Sequence, residues 1–336
     1  MLSEILLSLM LAQNPVQGDI GSNSSQSVVQ DTVQEQSVED LILINYLSEE
    51  LPTVNISSES IPYAEIYHEK DAFYEHLKEG YAHPEWVDIF RGSTRVVGRP
   101  QDNPEKNNAR LDSLLQVMLS QENKDGVTHF LIGQSYFHKT EFQQAKSYYK
   151  KAISESFHNS HVYQKLADIK AREFGAAIYK PRKDVNILED SDTQELAEMV
   201  LLYEEAIMLE KNEEVHNRNP YFHLAELYSF VGQHQNAFRT FQEVLEMPQS
   251  DERYYFYWPR IVQQVMRDNE ESEVVRKAAR KAYIKNVDKL SFDNEMLFFE
   301  SYNVVIEDEG YGFTDSDKKL FRELYHERIE SNPFIQ

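Results

Sequence analysis

Eleven histidines, 57 carboxylates and a complete lack of cysteine bound the chemistry open to this 336-residue chain. Without a thiol there is no thiolate nucleophile, no disulfide and no cysteine-ligated zinc or iron–sulfur centre. His68, His76 and His83 recur at steps of eight and seven residues, near one face of any helix carrying all three. At a rise of about 1.5 Å per residue, neighbours in that set stand about 11 Å apart, too far to share one ion. Pro84 also argues for a helix end before His83. His158 and His161 fall at a turn, where solvation accounts for them. No metal and no cofactor is expected from these residues.

Arg91, Arg95 and Arg99 punctuate the stretch RGSTRVVGRP, with glycines beside them. Exposed amides and guanidinium groups there suit a phosphate or carboxylate, although the lysine and spacing of a nucleotide-binding loop are missing. The alternative function is therefore a regulatory or accessory subunit binding an anionic ligand through this loop. Pairing of the arginines with acidic neighbours is the commoner fate of such a segment. No serine sits in a nucleophile elbow, and nothing assembles a nucleophile, a base and an orienting group. The chain is read as not an enzyme, with a hydrolase only as a third reading.

Charge narrows the partners. Lys and Arg number 34 against 57 Asp and Glu, a formal net charge of −23. Such a field repels nucleic acid and anionic membrane surfaces. The first basic residue is Lys70, and eleven carboxylates precede it, from Glu4 to Glu69. Ile5–Ala12 is an apolar run with the length and small final residue of a secretory signal, but without its basic leader. A secreted or periplasmic protein follows if residues 1–12 are such a signal, and a cytoplasmic one otherwise. No run reaches the 18 or so apolar residues of a spanning helix. Residues 13–37 are rich in Gln, Ser and Asn without an aromatic, and read as a disordered linker.

The elements that could position binding residues come from a repeat. His129–Ala152 aligns without gaps on Tyr221–Val244, each pair 92 residues apart. Ile132 and Gly133 fall on Leu224 and Ala225, Tyr136 on Tyr228, Ala145 on Ala237 and Tyr149 on Phe241. A middle copy starts 34 residues after the first, with Tyr163, Leu166 and Ala167. Its second helix, marked by Tyr203 and Ala206, lies 54 rather than 34 residues beyond Tyr149 and Ala152. The difference implies a 20-residue insertion, placed around Lys180–Asp192 as a solvated loop.

This pattern resembles the tetratricopeptide and Sel1-like repeats, in which small residues let two antiparallel helices cross closely and aromatics fill the space between hairpins. The resemblance implies an all-α, right-handed solenoid whose first helices line a concave groove. It would place Phe130, Gln134 and Phe137 of the first copy there, with Gln164, Asp168 and Ala171 of the middle copy and Phe222, Glu226 and Ser229 of the last. Family members that clamp a peptide's terminal carboxylate use Lys and Asn in such places, and this chain does not. The expected function is a noncatalytic scaffold holding a protein or peptide segment with apolar and basic residues.

Outside the repeats at 105–250, helical regions are expected over 38–104 and 251–336. Pro62 and Pro84 suit first helical positions, for helices near 63–79 and 85–91. Further amphipathic helices are expected at Asn108–Gln121, Glu271–Leu290, Phe292–Val305 and Asp315–Ile329, the last capped at Thr314.

Overall fold

A computed structural model describes residues 37–48, 50–51, 72–94, 104–174, 190–211, 217–246, 253–291, 294–307 and 310–335. The apolar run at 5–12, the 13–36 segment, His68, the start of the 63–79 helix, Arg95, Arg99 and most of the insertion lie outside them. Every regular element among the described residues is helical.

Helices α1 (Val38–Ser48), α2 (Pro84–Thr94) and α3 (Pro104–Ser120) precede the repeats, together with a helical segment at 72–78. The repeat helices are α4 (Gly126–His138), α5 (Phe142–Ser154), α6 (Ser160–Phe174), α7 (Asp190–Glu210), α8 (Asn219–Phe230) and α9 (His234–Glu246). Then follow α10 (Arg253–Arg267), α11 (Glu273–Ser291), α12 (Glu295–Tyr302) with a π-helical turn at Asn303–Glu307, α13 (Asp315–Leu324) and α14 (His326–Ser331). Sequential helices pair as hairpins, α2 with α3, α4 with α5, α6 with α7, α8 with α9 and α10 with α11. The result is an all-α solenoid of stacked helix pairs.

Local chemistry explains the helix ends. Asp125 caps α4, its carboxylate accepting from the Thr128 N–H at 2.7 Å. Thr314 and Asp317 form a reciprocal capping box at α13, so that helix starts where the sequence places it. The expected 315–329 helix is broken, however, at Tyr325, whose hydroxyl donates to the Ile284 carbonyl of α11. Helix α7 begins at Asp190, inside the stretch assigned to the solvated loop. Helix α10 has no counterpart among the expected helices. Pro259 sits within it and withholds one backbone hydrogen bond, which argues against a helix on local grounds. Burial of Tyr254, Tyr255, Tyr257, Trp258 and Ile261 outweighs that loss.

The 92-residue offset reappears in the backbone. Between α4 and α5 the N–H groups of Lys139, Thr140 and Glu141 donate to the carbonyls of Ser135, Phe137 and Tyr136. Between α8 and α9 those of Val231, Gly232 and Gln233 donate to Leu227, Ser229 and Tyr228, the same pattern 92 residues on. The central residue is left-handed in both turns, φ +62° at Thr140 and +77° at Gly232. Glycine takes that conformation without strain, whereas a β-branched residue does not.

Two apolar cores meet at α6. One gathers Phe73, Trp86, Phe90, Leu111, Met118 and the first repeat, and the other runs from Ala167 to the carboxy-terminal helices. Helix α1 belongs to the second core despite its early place in the chain. It packs on α9 and α11, with Leu43 and Leu47 buried and Tyr46 stacked over Phe238 at 6.3 Å. The Leu51 N–H donates to Asn286 Oδ1 at 3.2 Å and its carbonyl accepts from Lys289, fastening the end of α1 to α11.

Candidate interaction face

The spacing of small and aromatic residues becomes a set of close helix crossings. Ile132, Ala145, Tyr149 and Ala152 are fully buried in the first hairpin. Leu166, Ala167, Tyr203 and Ala206 are buried in the second, and Leu224, Ala225, Tyr228, Ala237 and Phe241 in the third. Tyr136 is half-buried and stacks on Tyr148. Gly133 lies so close to the Tyr149 ring that an added Cβ would stand 2.7 Å from it, inside van der Waals contact.

The face made by the first helix of each hairpin is more closed than the sequence implies. Phe130 is fully buried, ringed by Phe73, Tyr149 and Phe157 at 5.3–6.1 Å. Phe73 also stacks on His161 at 3.8 Å, and Tyr81 hydrogen-bonds through its hydroxyl to Thr128 Oγ1. Residues from the 72–83 stretch therefore lie on α4 and α6. Phe222 is buried too, stacked on Tyr257 of α10 at 5.1 Å. Neither ring faces solvent. Phe137 is half-buried beneath Lys165 and Arg172, while Gln134, Ala171 and Ser229 are buried. Spacing locates a residue on a helix face but does not reveal which distant side chain lies over it.

What the face carries instead is polar. Gln164 accepts from Asn217 at 3.0 Å. Asp168 accepts from Lys165 at 2.9 Å and from the Tyr203 hydroxyl at 3.1 Å, with His223 Nε2 at 3.9 Å. Burial raises the Asp168 pKa, but Lys165 and His223 outweigh it and hold the carboxyl below its ordinary value. His223 packs against the rings of Tyr203 and Tyr257, and Arg260 stacks over Phe256. Arg260 donates to Glu226 Oε1 at 3.2 Å, while Glu226 Oε2 is buried with no hydrogen-bond partner among the described residues. Burial pushes Glu226 up to about 8, and Arg260 offsets this only in part. Asp168, His223, Glu226 and Arg260 thus follow one another across α6, α8 and α10. The repeat resemblance named both carboxylates. It missed His223 and Arg260, the latter because α10 itself was not foreseen.

The described members of the other candidate sets have separate partners. Arg91 of the glycine-flanked stretch donates to Glu75 at 2.6 Å. His76 faces Glu79, and His83 stacks on Trp86 at 3.9 Å. His158 bonds the Tyr163 hydroxyl, apart from His161 on Phe73. None of these histidines shares a ligand set with another.

The family model for the tetratricopeptide repeat matches residues 128–159 and 219–251, the hairpins α4/α5 and α8/α9. These segments are tetratricopeptide repeats. The intervening α6/α7 hairpin packs in the same manner, with Ala167, Tyr203 and Ala206 buried. Comparison with curated proteins gives no match. Tetratricopeptide arrays generally mediate protein–protein association and are typically noncatalytic. Among the described residues no helix is long and apolar enough to cross a membrane.

Proposed function

We propose that this chain is a noncatalytic scaffold that grips a partner protein through a segment laid across α6, α8 and α10. A basic side chain of that segment reaches Glu226 and Asp168. The observation that carries this reading is Glu226 Oε2, a buried oxygen with no hydrogen-bond partner among the described residues, beside a guanidinium that already serves the other oxygen. A buried acceptor left unpaired is unfavourable by about 1–3 kcal/mol, and an incoming Lys or Arg relieves it. The apolar residues of the segment meet the exposed ring of Phe256, because Phe130 and Phe222 are covered.

The test is fluorescence anisotropy with a short labelled peptide alternating leucine and arginine, against its leucine–glutamate counterpart. The basic peptide should bind saturably and the acidic one should not. Glu226→Gln and Asp168→Asn should each weaken binding about tenfold, as expected for a lost charge-assisted hydrogen bond. Binding should also tighten as pH rises towards 8, because the ligand's cation requires Glu226 to give up its proton. Equal affinity for both peptides, or indifference to both substitutions, would sink the reading.

A further inference from the structure

Away from that face, His234 at the start of α9 meets Asp268 and Glu271 from the loop joining α10 to α11. His234 is buried, its side chain 2% exposed, and the two carboxylates are largely covered. Nε2 of His234 lies 3.2 Å from Asp268 Oδ2 and 3.6 Å from Glu271 Oε1. Zinc with tetrahedral bonds of about 2.0–2.2 Å holds its ligand atoms about 3.3–3.6 Å apart, so these separations are close to two edges of such a site as they stand. The Asp268 contact is a long hydrogen bond as it stands, whereas Glu271 lies beyond hydrogen-bond reach. One ring nitrogen also carries at most one hydrogen, yet two carboxylates converge on it.

The surroundings favour a cation. Asp268 follows the last residue of α10, where the helix's free carbonyls gather negative potential. Its Oδ1 accepts from the Glu270 N–H at 2.8 Å, which orients the carboxylate and leaves Oδ2 towards His234. Asp40 of α1 adds a further negative charge near Glu271, and Arg276 opposes it while pairing with Glu273. We propose that His234, Asp268 and Glu271 bind one zinc ion, with water as the fourth ligand, and that the ion clamps hairpin α8/α9 to hairpin α10/α11. The ligand types and the spacing select zinc over magnesium or calcium, which prefer more oxygens. His234 Nδ1 is buried without a hydrogen-bond partner among the described residues. Lacking that outer support, the site should bind about 10–100-fold more weakly than one that has it.

The test is calorimetric titration of zinc chloride into the full chain after dialysis against chelator, with cobalt(II) absorption as a second readout. The expected result is a strongest site of one ion per chain, a tetrahedral cobalt spectrum and a raised melting temperature. Asp268→Asn and Glu271→Gln, chosen to keep shape and hydrogen bonding, should each weaken that site about tenfold or more, while His158→Gln leaves it unchanged. Absence of saturable zinc binding by the wild-type chain overturns the proposal without recourse to any variant. So does an octahedral cobalt spectrum, or binding that neither Asp268→Asn nor Glu271→Gln weakens.

Discussion

At the scale of single residues, the two family-matched repeats serve as each other's controls. Thr140 holds the left-handed turn position that Gly232 occupies 92 residues later. A left-handed conformation disfavours a side chain with a Cβ by about 1–2 kcal/mol, and glycine returns part of that in unfolded-state entropy. Thr140→Gly should therefore raise stability by about 0.5–1 kcal/mol in chemical denaturation. Tyr149 and Phe241 are the second such pair. The Tyr149 hydroxyl is buried with no hydrogen-bond partner among the described residues, and burial pushes its pKa well above the ordinary tyrosine value. Tyr149→Phe should leave stability unchanged or raise it by about 1–2 kcal/mol, since the lost group pairs with nothing. Glu226 gives a pH signature. Its folded pKa is raised, so its contribution is fully present below the unfolded value near 4.5 and is lost as pH rises through about 8. Stability of the wild-type chain relative to Glu226→Gln should fall across that window, by at most about 1.4 kcal/mol per pH unit. A difference that stays flat in melts between pH 5 and pH 8 would contradict this.

At the scale of elements, helix ends set by side chains can be tested one at a time. Thr314→Ala removes half of the α13 capping box and should lower stability by about 1 kcal/mol, read from the denaturation midpoint. That cap was legible because Thr-Asp-Ser-Asp places its donors and acceptors within four consecutive residues. The hairpins α4/α5 and α8/α9 were legible for a related reason, since small residues at a crossing and aromatics between crossings recur at fixed intervals. Helix α10 was hidden by Pro259 and by an aromatic run without clear period, its stability coming from tertiary burial instead. The closed state of Phe130 and Phe222 was equally hidden, because the residues over them, Phe73 and Tyr257, lie 57 and 35 positions away in the sequence. His234 and Asp268 are 34 positions apart, so no short motif announces their meeting.

For the whole molecule, the governing feature is the return of α1 to the far end of the array. Its apolar side fills the space between α9 and α11, where Leu47 is 1% exposed. Leu47→Ala should destabilise the protein by about 2–5 kcal/mol, the range for removing a buried leucine side chain. Hydrogen exchange should then show α9 and α11 losing protection while α4 and α5 keep theirs, because the first hairpin belongs to the other core. Uniform loss of protection across both hairpins would mean that the two cores unfold as one.

The contact between Leu51 and Asn286 spans 235 positions, which bears on how the polypeptide is made. Synthesis proceeds at about 5–20 residues per second, so α1 leaves the ribosome roughly 12–47 s before its docking site on α11. Until α9 emerges, which takes up most of that interval, Leu43 and Leu47 have no native cover, whereas the α4/α5 hairpin can close as soon as it emerges. The nascent chain is thus exposed to chaperone capture or aggregation at α1, and closure of α1 onto the array belongs among the last steps of folding.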